Sequence, residues 1–170
     1  MSSTVQKNRP GLTVALLAGL LCLLATLSAG AAEAVRPFVS GSLAKIAAER
    51  QGRPFIVALW SVACTHCPQE LKALAQLRQA HPGLDVVLVA TDDAGEAPRT
   101  RELAQRYGLG DAPQWIFADD LPERLRFEID RRWYGELPRT LFYDRQHRVE
   151  SVSGLVPEAR LARWVRENLR

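Results

Sequence analysis

Two cysteines stand three positions apart in "LWSVACTHCPQEL" (residues 59–71): Cys64 and Cys67, with Thr65 and His66 between them and Pro68 behind. Thiols at this spacing can bind a metal, tether a haem, close a small disulfide or exchange electrons. Covalent haem attachment needs a histidine directly after the second cysteine, and Pro68 holds that place. A structural zinc needs four ligands, usually two pairs. There is one such pair here, and the only histidines beyond His66 are His81, expected at a helix end, and His147, expected in a hairpin turn, both at the surface. A bond across two intervening residues restrains little of the unfolded chain, so a purely structural staple is a weak reading.

Electron exchange has a physical basis. Cys64 falls where an apolar run ends and a helix-forming segment begins. A sulfur there faces unpaired backbone N–H groups and the positive end of the helix dipole, which favour the thiolate, the attacking species. Cys67 lies one helical turn on, close enough to resolve a mixed disulfide. His66 is either a polar neighbour that stabilises the thiolate or an exposed spacer.

The elements that must hold this pair can be read around it. "RPFIVALW" (53–60) is a short continuous apolar run, as in a central buried strand. "THCPQELKALAQLRQAH" (65–81) reads as a helix anchored by Leu71, Leu74 and Leu77 and stopped by "HPG". "LDVVLVATDD" is a second buried strand ending in acids, "APRTRELAQRYGLG" a helix closed by Gly108, and "PQWIFADD" a third strand. "LPERLRFEID" reads as a helical insert. "RTLFYD" and "RVESVSG" form an antiparallel hairpin over "DRQH". "VPEARLARWVRENLR" is an amphipathic helix with Leu161, Trp164, Val165 and Leu169 facing in. Before all of these, "SGSLAKIAAERQG" reads as a helix capped by Ser42 and stopped at Gly52. Strands alternating with helices, then a hairpin and a helix, predict an α/β sandwich.

The first 32 residues look different. Lys7 and Arg9 precede 23 uncharged residues from Pro10 to Ala32, and small residues follow. This is the layout of a secretory leader with cleavage near Ala31 or Ala34, or of a membrane anchor over residues 11–32. The domains expected are therefore 1–32, signal peptide or anchor, and 33–170, a globular unit on the periplasmic or other extracytoplasmic side. Cys22 reads as apolar filler, because Leu21 before it is too large for a lipoprotein site. The net charge is +3, two of it from Lys7 and Arg9, and the basic residues are scattered. That gives no case for nucleic-acid binding.

With these residues in view, the chain resembles the thioredoxin superfamily, and within it the TlpA/ResA-like thiol–disulfide oxidoreductases. The matching features are Trp60 four residues before the first cysteine, Cys64-Thr65-His66-Cys67, Glu70, and "GELPRTLFYD" with its Pro138. The resemblance covers about residues 40 to 170 and implies a three-layer sandwich with a central mixed sheet. It implies that Cys64 is the nucleophile, Cys67 resolves, and Glu70 assists proton transfer with the buried cysteine. A plain helix-surface carboxylate is the other reading of Glu70. Substrate contacts are expected from Trp60, His66, Leu137 and Pro138. Pro138 would follow a cis bond and face the dithiol, while Leu137 offers backbone groups to an extended segment. A trans proline opening an edge strand is the alternative.

The implied activity is reduction of protein disulfides, with protein thiols as partners, a membrane electron donor, and no cofactor or metal. Candidate targets are an apocytochrome c or a copper-site protein under assembly. An oxidant resembling DsbA, a thiol peroxidase and a copper chaperone using His147 remain as alternatives. Ser61 three residues before Cys64 argues against the peroxidase. Two departures stand out. Ala58 occupies the place of thioredoxin's buried aspartate, and Ala63 that of a common aromatic. The polar connector "APQWIFADDLPERLRFEIDRRWYGE" sits where this family carries an insert. In it Trp115 reads as core, whereas Trp133 and Tyr134 read as either core or a partner groove near Pro138.

Overall fold

The computed structural model describes residues 34–169. The leader or anchor expected over residues 1–32, with Cys22, lies outside the described residues. The elements run β1 (Arg36–Phe38), α1 (Ser42–Ala48), β2 (Phe55–Trp60), α2 (Cys67–Ala80), β3 (Asp85–Ala90), α3 (Ala97–Arg106), β4 (Gln114–Phe117), α4 (Pro122–Ile129), β5 (Arg139–Tyr143), β6 (Val149–Ser153) and α5 (Glu158–Asn168).

The strands form one sheet in the order β1-β4-β3-β2-β5-β6. β1, β4, β3 and β2 are parallel, and β5 and β6 run antiparallel beside β2. The sheet is thus mixed, and helices cover both faces, as expected. Every residue of β2 is buried, because β2 is central and both faces are covered. Its side chains alternate: Ile56, Ala58 and Trp60 join one core with Cys67 and Leu71 of α2, Ala104 of α3 and Trp164 of α5. Phe55, Val57 and Leu59 join the other, with Ile46 of α1 and Leu125 of α4. The period of two in the strands therefore divides the apolar residues between two helix layers.

α2 follows a stripe at helical spacing. Cys67, Glu70, Leu71 and Leu74 are buried, and Leu77 is half-buried. Pro68 in its first turn has no N–H to leave unpaired, so it fits that position. Gly108 takes φ +85° just after α3, a left-handed stop that a side chain would resist.

Three expectations change. Strand β1 was not anticipated. Ser42 is not the cap of α1: Gly41 caps it, and the Ser42 hydroxyl accepts the N–H of Val39 at 2.9 Å. His147 does sit in the hairpin turn but is not a loose surface group. Its ring packs edge-on to Phe55 and Tyr143, and its Nε2 lies 3.0 Å from the Arg50 carbonyl.

Candidate active site

The pair lies beyond the carboxyl end of β2, in the turn that leads into α2. That turn is built from four hydrogen bonds. Asp92, past the end of the neighbouring β3, accepts the Ser61 hydroxyl at 2.7 Å and the Val62 N–H at 3.1 Å. The Ser61 hydroxyl oxygen accepts the Ala63 N–H at 3.1 Å, and the Ser61 carbonyl accepts the Cys64 N–H at 3.2 Å. The backbone just before Cys64 is therefore held to the sheet.

Cys64 and Cys67 are joined as a disulfide, with Cα atoms 5.4 Å apart. Cys64 is half-buried, whereas Cys67 is fully buried at the first residue of α2. The Cys67 N–H donates to Cys64 Sγ at 3.1 Å. No side chain caps α2. The sulfur takes up the N–H of the first helical residue, one of the donors that a helix start leaves without an intrahelical partner. A groove of about 410 Å³ opens over Cys64, lined by Ser61, Ala63, Thr65, His66 and Leu137.

Leu137 forms the opposite wall, and a cis bond joins it to Pro138, which lies behind it and does not itself line the groove. Pro138 is buried, and its carbonyl accepts the Gly154 N–H at 2.8 Å. Leu137 is half-buried and packs against both cores. Within the described residues its backbone N–H and C=O have no partner. An extended chain could pair with that short edge.

Glu70 is 2% exposed, so the reading of it as a helix-surface carboxylate is overturned. It shares the inward stripe of α2 with Cys67. One oxygen accepts the Thr140 hydroxyl at 3.1 Å and the other the Val156 N–H at 2.9 Å. Burial pushes its carboxyl above the ordinary glutamate range, and the two hydrogen bonds offset only part of that.

The expectation for Trp60 needs correction. Its ring is 2% exposed and belongs to the core beneath the pair, so it supports Cys67 and does not line the groove. Trp115 and Trp133 are also buried, at 4% each, while Tyr134 is 87% exposed. Asp92 and Thr140 carry structure around the site that sequence reasoning missed. The signal for Asp92 was present: acids at the carboxyl end of a central strand, where open α/β sheets place their sites. His147 lies against Phe55 at the opposite end of β2 from the cysteines, which removes it as a shared copper ligand. Among the described residues no group of three or more His, Cys, Asp and Glu could hold a metal ion.

No protein-family model matches the chain, and no curated protein is similar enough in sequence to match it. Solved structures do match. A secreted Mycobacterium tuberculosis disulfide oxidoreductase homologous to E. coli DsbE is 22% identical, with a TM-score of 0.56 over 71% of this chain and 85% of that one. A thiol:disulfide interchange protein of the thioredoxin family from Chlorobium tepidum TLS is 19% identical, with a TM-score of 0.57 over 73% and 85%. A DsbF homologue from Corynebacterium diphtheriae is 15% identical, with a TM-score of 0.55 over 71% and 74%. These neighbours agree with the resemblance read from the motifs. At such identities the likeness establishes architecture, and the described chain has the thioredoxin fold with its cysteine pair at the mouth of the first central strand.

Proposed function

We propose that the protein is an exported thiol–disulfide oxidoreductase that reduces protein disulfides. The observation that carries this reading is the half-buried Cys64 sulfur, hydrogen-bonded to the first N–H of α2 and open to a groove whose far wall is the unpaired edge of Leu137. In the reduced protein the Cys64 thiolate attacks one sulfur of a partner's disulfide. That bond breaks, and one partner thiolate leaves. Cys67 then loses its proton and attacks the Cys64 sulfur. The second partner thiolate leaves, and the Cys64–Cys67 bond forms. Two electrons have passed to the partner, and a dithiol donor must return them.

Glu70 suits the second step. A carboxyl held above its ordinary range accepts a proton more readily near neutral pH. It lies one helical turn from Cys67 on the same inward stripe, and Ala58 supplies no acid of its own. His66, exposed beside the sulfurs, and the Leu137–Pro138 edge would meet the partner chain. Residues 1–32 fit an export leader or anchor, which would place this chemistry on the extracytoplasmic face, near a membrane electron donor. Substrates would then be oxidised cysteine pairs of proteins under assembly, such as an apocytochrome c or a copper-site protein.

The reduction potential tests the direction. Equilibration against glutathione should give a value near that of thioredoxin, about −270 mV; one near that of DsbA, about −120 mV, would make the protein an oxidant.

A further inference from the structure

β5 begins directly after Pro138, and its first two residues face opposite sides of the sheet. Thr140 turns to α2 and bonds Glu70. Arg139 turns to the α4 side, its side chain 9% exposed. Its Nη1 donates to Ser153 Oγ at 2.6 Å, and its Nη2 to Ser151 Oγ at 2.8 Å and to the Asp130 carboxylate. Its guanidinium also lies 5.8 Å from the centre of the Trp133 ring. Ser151 and Ser153 belong to β6, while Asp130 caps the end of α4. The Trp133 indole donates to the Glu136 carbonyl at 3.0 Å, next to Leu137. One buried fork thus joins β6, the end of α4 and the segment 130–137 at the point where the cis-proline edge begins.

Dehydrating an arginine costs stability that an apolar residue in this place would not. What the guanidinium adds is direction: several donors in a fixed plane. We propose that Arg139 is a positioning residue for partner recognition. It fixes the segment 130–137 to the sheet and so sets where Leu137 stands relative to Cys64. A polypeptide lying along the Leu137 edge depends on that placement. A small disulfide needs only the sulfur of Cys64. This inference rests on the disulfide-exchange reading above.

The test compares two substrates, insulin disulfides and 5,5′-dithiobis(2-nitrobenzoate), across the unaltered protein, Arg139→Lys and Asp130→Asn. Lysine keeps the charge but cannot reach all three acceptors, and asparagine leaves the arginine its two serines. In both variants KM for insulin should rise about tenfold with kcat held within about twofold, and the rate with the small disulfide should stay within about twofold. If Arg139→Lys does not fold, Asp130→Asn carries the comparison alone. Equal losses on both substrates would overturn the proposal, as would an unchanged KM for insulin accompanied by a lower urea midpoint. Failure of the unaltered protein with either substrate would show before any substitution and would sink the exchange reading, and this inference with it.

Discussion

The backbone N–H of Cys67 points at the sulfur of Cys64 from 3.1 Å. In the proposed exchange, one residue of the pair thereby prepares the other. The N–H that greets the Cys64 sulfur belongs to the buried cysteine and is the first of α2, so accessibility and activation are divided between the two. Cys64→Ser should reduce exchange to background. Cys67→Ser should still attack but cannot resolve, so mixed disulfides with partners should accumulate on non-reducing gels. Full turnover without adducts in Cys67→Ser would reverse the assigned roles.

Glu70 yields a prediction in which stability and activity move in opposite directions. Its carboxyl is raised by burial, so the folded protein holds that proton more tightly than the unfolded chain does. The sign follows: its contribution to stability is full below the ordinary glutamate range and falls as pH rises through the raised value. Glu70→Gln removes this dependence and can still accept the Val156 N–H. Denaturation midpoints across pH should show the variant gaining on the unaltered protein toward neutrality. Resolution of mixed disulfides should slow by roughly tenfold or more, with a flattened pH profile. Parallel stability curves for the two proteins would remove the buried carboxylate from the account.

Asp92 holds the turn that presents Cys64. Asp92→Ala leaves the Val62 N–H and the Ser61 hydroxyl without their acceptor, at a cost of about 1–3 kcal/mol in urea unfolding. The Val62 amide should also exchange faster with solvent. Asp92→Asn, which retains an acceptor oxygen, should recover part of both. Unchanged protection at Val62 would mean the turn holds without the aspartate.

Trp60 separates support from substrate contact. Trp60→Ala should cost about 3–5 kcal/mol, as expected for removing a buried aromatic. Trp60→Phe should leave KM for insulin within about twofold, because the ring does not reach the groove. A large rise in KM for Trp60→Phe, with stability intact, would return this residue to the substrate surface.

Much of the architecture was legible because the apolar patterns are unambiguous. "FIVALW" and "DVVLVA" have no polar face, which only a strand covered on both sides tolerates, and α2 and α5 carry stripes at helical spacing. β1 was not legible: three residues, one of them a proline, are too short to show alternation, and pairing with β4 decides their state. The cysteine pair stood out by its spacing, whereas the proline edge was legible only through the resemblance to the thioredoxin superfamily. Trp60 was misplaced because the same strand pattern that buries Ala58 also buries Trp60, two residues on. Glu70 and Arg139 were harder, since a charged residue reads as solvated unless its partners are known. Those partners, Thr140 and Val156 for one, Asp130, Ser151 and Ser153 for the other, lie far away in the chain, at the end of the preceding helix or across a hairpin. His147 looked exposed by its turn, yet its ring closes over Phe55.

The most direct measurement is the alkylation rate of Cys64 in the reduced protein as a function of pH, with Cys22→Ser and Cys67→Ser combined so that Cys64 is the one thiol. The rate should follow a titration centred below the free-cysteine value of about 8.5, because a helix-terminal N–H favours the ionised sulfur. A midpoint at or above that value, or a sulfur the reagent cannot reach, would contradict the proposed catalyst.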